Sequence, residues 1–316
     1  MREAFSMPRL DEFRKRWIAF AALAGSIACC LLSGCGGAEA TPITADANQA
    51  DLLTTQFEKA SGAGAVAVEL PEPSGFATVK GRFVVDGTVS TADPLTTTGN
   101  DKAYCGVVPD DMVEVDADGN LRSVLIFLSM KIPNTYGAWI HESYQATETA
   151  VLDGPNAFDQ QKCRFKRRIF AMRATQTVKI LNSDTVGHNT NISGPLGVSS
   201  INPTLPGGSS ADYSPGGASS APFRIACSVH PWMGSNMISL DHPYFAVTGP
   251  TGEFEIANVP AEVELTFTLW HEKKDVFKNV TLTSDLQTDR RGRFKITLAQ
   301  DEVRELPVKL PAAKFN

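Results

Sequence analysis

Cys227-Ser228-Val229-His230-Pro231-Trp232-Met233 sets a thiol, an imidazole and a thioether at spacings of three and three. Copper sites use this mixture: two His and one Cys form a trigonal set, and a long axial Met tunes the potential. The set lacks a second His, expected from an earlier strand. His188 offers one, in Asn182-Ser183-Asp184-Thr185-Val186-Gly187-His188-Asn189, just after the apolar-alternating residues 178–181. Met237, four residues past Met233, is a rival axial donor. A thioether is a poor zinc ligand, so the donor set favours copper.

Around these two segments the pattern is β. Odd positions are mostly apolar from Ala77 to Val85, and Asp86-Gly87 then signals a turn. Residues 124–128, 169–172, 178–181, 252–256, 264–270, 280–282 and 294–298 read as further short strands. Turn residues separate them. This spacing predicts an all-β chain of antiparallel sheets packed as sandwiches. Helical periodicity is nearly absent, with a turn of helix expected at most within 145–161. Residues 202–222 stand apart, because thirteen of 21 are Gly, Ser or Pro. Between the ligand segments, such a stretch reads as a lid or docking loop or as a floppy insertion.

The front of the chain reads as an export signal. Arg14, Lys15 and Arg16 precede an uncharged, mostly apolar stretch over 17–34. Leu32-Ser33-Gly34-Cys35 resembles the lipobox of bacterial lipoproteins, which implies lipidation at Cys35 and a membrane anchor there. An uncleaved signal anchor is the alternative. No Asp follows the Cys, which in Gram-negative lipoproteins permits the outer membrane. The expected location is therefore the cell envelope, exported and facing the periplasm. Residues 36–75, rich in Ala, Thr and Gly, read as a tether with one short helical patch over 48–59.

Cysteine arithmetic follows from export. Cys29 and Cys30 leave with the signal, Cys35 becomes the anchor, and Cys105, Cys163 and Cys227 remain. An odd count in an oxidising compartment leaves one thiol over. Three pairings are open; a Cys105–Cys163 bridge would leave Cys227 free for metal. The formal charge is −6, and residues 1–34 carry five basic and three acidic side chains, so the exported part is near −8. That balance argues against nucleic acid as partner and suits a basic redox protein.

Residues 178–192 and 223–240 resemble the two copper-binding segments of the cupredoxins, closest to the amicyanin type, whose ligand loop also runs Cys-x-x-His-Pro-x-Met. The resemblance implies a Greek-key sandwich over 76–245 holding one mononuclear type 1 copper at His188, Cys227, His230 and Met233. It also implies that Asn189 braces the Cys227 segment and that Pro231 stiffens the loop. The second His would show its edge at an apolar surface, with Pro231 and Trp232 beside it, where electrons pass. Met237 falls at a core-facing strand position. Ala226 departs from the aromatic often found near there. Multicopper oxidases and copper nitrite reductases carry His-Cys-His, and Ala226 and Ser228 flank this Cys.

Thr248-Gly249-Pro250-Thr251-Gly252-Glu253-Phe254-Glu255-Ile256-Ala257-Asn258-Val259-Pro260 resembles the carboxypeptidase-regulatory-like sandwich repeat, with Glu262 where a Gly is common. That implies a smaller non-catalytic β-sandwich over 246–316, although the opening strand near 80–85 has similar character and suits either module. His242 and His271 read as surface or hydrogen-bonded side chains, or as a second metal site where the modules meet; His141 reads as incidental. The expected function is electron transfer with an unknown redox partner protein, and not an enzyme. A copper chaperone or store and a metal-free envelope lipoprotein are the rivals.

Overall fold

Leu125–Leu128 is buried along its whole length because it serves two cores. Successive side chains of a strand point to opposite faces. Ile126 and Leu128 pack with Phe83, Phe267 and Leu306, whereas Leu125 and Phe127 pack with Ile169, Ile238 and Trp270. The structure, a computed structural model, describes residues 70–316. The export signal 1–35 with Cys35, the 48–59 patch and nearly all of the tether lie outside the described residues. Among those described, no helix is long and apolar enough to cross a membrane.

The described chain is an all-β protein of two sandwiches. In the first, Thr177–Asn182 lies between Ser210–Tyr213 and Val151–Leu152, and Phe158–Gln160 also pairs with it. The facing sheet runs Ile169–Arg173, Gly234–Leu240, Phe223–Ala226, Asn191–Ile192. Phe158, Phe170, Val178, Ile180, Ile225 and Met237 fill the space between. In the second, Phe76–Asp86 pairs antiparallel with Glu253–Pro260 and parallel with Val303–Pro311. Leu265–His271 and Leu125–Leu128 form the centre of its other sheet. Ile169–Arg173 and Gly234–Leu240 also run parallel.

A division at residue 246 does not follow these cores. Strands 76–86 and 125–128 belong with the C-terminal strands, so the described chain begins in the second sandwich, builds the first, and returns. Contacts gather residues 70–316 into one compact unit. The third apolar cluster joins the sandwiches, and burying each of its larger side chains is worth about 1.5–3 kcal/mol. Arg168, held by Glu272 from the second sandwich and by Asp111, adds a half-buried ionic tie.

Other details depart from the sequence reading for local reasons. Residues 280–282 form only an isolated bridge, Thr281 to Gln287. Val303–Pro311 was not anticipated, because Pro307 interrupts its alternation; as an edge strand it leaves that side unpaired, where Pro is tolerated. The Gly/Ser/Pro-rich stretch is neither lid nor floppy insertion. It contains Thr204–Leu205 and Ser210–Tyr213, both paired in sheets. Gly207 is required there by close approach, since a Cβ would sit 2.5 Å from the Thr185 carbonyl oxygen. Glu262 takes φ +61°, the left-handed conformation for which Gly is common at this turn.

His242 and His271 are both buried, neither at the surface nor in a shared metal group. His242 Nε2 donates to the Leu128 carbonyl (2.9 Å) and its Nδ1 accepts from Tyr244 N (3.2 Å). His271 Nδ1 accepts from Lys273 N. His141 Nδ1 accepts from Ser143 N at the start of a 3₁₀ turn. Burial depresses the pKa of His242 and of His271 to about 4. Between about 4 and the ordinary 6.5 the unfolded chain therefore binds more protons, and stability falls as pH drops through that window. Urea unfolding at about pH 4.5 should show a loss on the order of 2–3 kcal/mol per histidine relative to pH 7; a flat profile would count against buried neutral imidazoles.

Candidate metal centre

The seven-residue stretch 227–233 is a hairpin loop. Phe223–Ala226 and Gly234–Leu240 pair antiparallel, and Ala226 opposite Gly234 closes the base. Pairing at that base fixes where Cys227 leaves one strand and Met233 enters the other. His188–Asn189 is a two-residue strand held by Thr204–Leu205. The structure brings His188, Cys227 and His230 together: one donor atom from each lies within 4.8 Å of the others, and all three residues are buried. Cys227 is 2% exposed and is the free cysteine among the described residues, whereas Cys105 and Cys163 form a disulfide. Met233 is buried in the same apolar cluster, its N–H donating to the His230 carbonyl (2.8 Å). Met237 is a core residue of the strand beyond, opposite Phe223 and beside Phe170.

Two carboxylates orient the imidazoles, and neither was singled out from sequence. His188 Nε2 lies 2.8 Å from Asp184 Oδ2, and His230 Nε2 lies 3.1 Å from Asp101 Oδ2. Both outer nitrogens being engaged, the two Nδ1 atoms face each other at 2.8 Å. This is the arrangement that fixes tautomer and ring direction in metal-binding histidines. Asp184 also accepts from Lys162 N (2.6 Å), Cys163 N (2.8 Å) and Tyr104 Oη (3.1 Å). Lys162 and Cys163 both take positive φ, near +54° and +53°. Residues with a Cβ adopt that region at a cost on the order of 1 kcal/mol each. Here it turns two successive N–H groups onto one carboxylate.

Protonation follows the geometry. Burial would raise the Asp184 carboxyl, but its N–H donors and His188 hold it below the usual range, as a carboxylate. Burial likewise opposes the Cys227 thiolate, yet His188 and the N–H groups of Asn189, His230 and Val229 bring its pKa below an ordinary thiol. Asn189 N and His230 N stand 3.5 and 3.4 Å from Sγ. His188 is raised: burial lowers it, and Cys227 and Asp184 more than offset that. His230 is lowered by burial and by His188. At 2.8 Å the facing Nδ1 atoms share one proton in the metal-free site, and the tautomer sets which ring donates it. Taking it away leaves two imidazole lone pairs and a thiolate converging on one dry point, and these residues fit a soft to borderline metal such as copper.

Asn189 ties the two ligand segments together. Its Oδ1 accepts from Ser228 N (2.6 Å) and Val229 N (3.3 Å), and its Nδ2 donates to Asn202 Oδ1 (2.5 Å). Pro231 is exposed in the loop. The expectation that the second His shows its edge at an apolar surface is overturned. His230 is 1% exposed, because residues 95–108 cross over it and place Asp101 on its outer nitrogen. Trp232 is half-buried, its ring 4.9 Å from that of His230, with Nε1 donating to the Cys163 carbonyl (3.1 Å).

No protein-family model and no curated protein matches the chain. Among solved structures it is similar to the Cu-containing nitrite reductase from Thermus scotoductus SA-01, with 15% identity and a TM-score of 0.24, over 29% of this chain and 22% of that one. The chain thus spans less than a quarter of that enzyme. It is similar to a Cu(I) amicyanin mutant (17% identity, TM-score 0.24, 29% of this chain and 81% of that one) and to a reduced amicyanin mutant (16%, 0.24, 36% and 90%).

Replacing Asn189 by Ala would leave the Ser228 and Val229 N–H groups without their acceptor. Ser228 and Val229 are exposed, so water replaces part of what is lost, and the change costs about 0.5–1.5 kcal/mol, the net worth of an ordinary hydrogen bond. Thermal unfolding of Asn189→Ala should fall by that amount, with Asn189→Asp recovering part of it; an unchanged midpoint would remove Asn189 as the brace.

Proposed function

We propose that this chain is an exported, lipid-anchored electron carrier that holds one mononuclear type 1 copper at His188, Cys227, His230 and Met233. The observation that supports it is the convergence of the Cys227 thiol and the facing Nδ1 atoms of two carboxylate-oriented histidines in a buried pocket. Copper bound there would supply a one-electron couple between Cu(I) and Cu(II). The chain's part is to hold the donors still. Asp184 and Asp101 fix the rings, Asn189 fixes the loop, and Met233 completes the set from the loop's far end. Donors that do not move between oxidation states keep the cost of each electron transfer low, and exclusion of water keeps other chemistry out. We infer that it is not an enzyme, because Ala226 and Ser228 flank Cys227 where multicopper oxidases and copper nitrite reductases carry His-Cys-His.

Lipidation at Cys35 would tether the module to the envelope, with the outer membrane facing the periplasm as its place, and the acidic surface suits a basic redox partner. Electrons would pass near Trp232, which is half-buried beside His230. A second reading, a copper store or chaperone, is favoured by the covering of His230, since a capped site retains metal better than it exchanges electrons.

The full chain mixed with Cu(II) should develop an intense visible thiolate-to-copper band that Cys227→Ser abolishes. Met233→Leu should shift that band. Met237→Leu should leave it in place and cost under about 1.5 kcal/mol of stability, as for a volume-conserving core change. A colourless site that binds only Cu(I) would favour the store or chaperone, and no binding at all would sink the copper reading.

A further inference from the structure

Residues 87–120 lie between two strands of the second sandwich, yet their middle crosses to the first. Leu95 N donates to the Val108 carbonyl (2.8 Å), closing a strap over 95–108. The strap carries little apolar material of its own. Thr97, Cys105 and Val108 are buried, while Thr96, Thr98, Gly99, Asn100, Lys102 and Ala103 are exposed.

Three contacts hold the strap on the pocket. Asp101 precedes the short helical turn Lys102–Cys105, where an Asp ordinarily caps the turn's N–H groups; here its side chain makes no cap and meets His230 Nε2 instead. Tyr104 Oη donates to Asp184 Oδ1 and accepts from Thr185 N (3.3 Å). Cys105 is bonded to Cys163, on the loop that feeds Asp184 two N–H groups. The Sγ atoms of this disulfide and a ring nitrogen of His230 all lie within 4.8 Å of one another. The disulfide is thus part of the pocket's wall.

We propose that the Cys105–Cys163 disulfide is a latch, and that a dithiol reductant opens the metal pocket by reducing it. One thiolate of the dithiol attacks the sulfur of Cys105, the less buried of the two residues. The Cys163 thiolate leaves and takes a proton. The second thiol of the dithiol then attacks the mixed disulfide, releasing the Cys105 thiol and leaving the reductant as its own disulfide. Two electrons and two protons pass from dithiol to protein. Freed of the bond, the strap is held only by Asp101, Tyr104 and its short buried side, and it lifts from His230. Metal enters and leaves the open form and is retained in the closed one. That last step rests on the copper reading; the opening itself belongs to the metal-free chain.

The test uses the full metal-free chain with its disulfide formed. Cys227 is treated with iodoacetamide and its modification followed by peptide mass spectrometry. In Cys105→Ser/Cys163→Ser it should react at least about tenfold faster, the mark of a cover that opens locally. Hydrogen exchange should rise in residues 95–108 while Thr177–Asn182 and Gly234–Leu240 stay protected. Equal alkylation rates would overturn the latch. So would loss of protection throughout the sandwich, which would make the bond a staple of the fold. After copper loading, the double variant should lose copper to a Cu(I) chelator faster than the parent, and equal rates would overturn the retention step. Fast alkylation in a chain that binds no copper would sink the metal reading and leave the latch standing.

Discussion

Two imidazoles face each other nitrogen to nitrogen because a carboxylate grips each from behind. Free histidines in a dry pocket would turn their polar edges toward any donor or acceptor available. Here Asp184 and Asp101 take the Nε2 atoms, and only the Nδ1 atoms are left to point inward. A buried carboxylate is costly unless its oxygens are filled. Asp184 meets that condition with donors from Lys162, Cys163, Tyr104 and His188. The histidine pair, the disulfide loop and the strap therefore meet at one side chain. Removing any of them weakens the reason for the others' positions.

The same economy appears in the fold. The strand that follows the Cys227 loop, Gly234–Leu240, is buried on both faces: Met237 in the first sandwich's own core, Ile238 and Leu240 in the cluster shared with the second sandwich. The second sandwich thereby acts as a backing plate for the strand that leads out of the ligand loop. Its strands come from both ends of the described chain, so the first sandwich is clamped between an outgoing and a returning segment.

Much of the site was legible because its signal is local. The Cys-x-x-His-Pro-x-Met loop and the strand and turn leading to His188-Asn189 are contiguous runs whose donor types and spacing carry chemistry by themselves. Asp101 and Asp184 were not legible, because an acidic residue in a turn or at a helix start looks like a solvated one or a cap. Only the fold brings Asp101 to a histidine 129 positions away. The order of the sandwiches was hidden for a similar reason: the parallel pairing of Phe76–Asp86 with Val303–Pro311 joins the far ends of the described chain. Composition misled at 202–222, where glycines serve close approach and turns while the rest pairs in sheets. Glu262 was the opposite case. It stands where a Gly is common, and the backbone there takes positive φ regardless.

The strap raises an energetic question that its sequence answers. Fixing one residue's backbone costs roughly 1–2 kcal/mol, so ordering a mostly polar segment of this length opposes folding strongly. Three buried side chains and a few hydrogen bonds return only part of that. A disulfide spanning 58 positions relieves about 4 kcal/mol by restricting the unfolded chain. The bond therefore adds to what the strap's few contacts supply. The bond's value to the strap and its closeness to His230 are thus one fact seen twice. The covalent link is needed where the chain has little else to hold it, and that place is the mouth of the pocket.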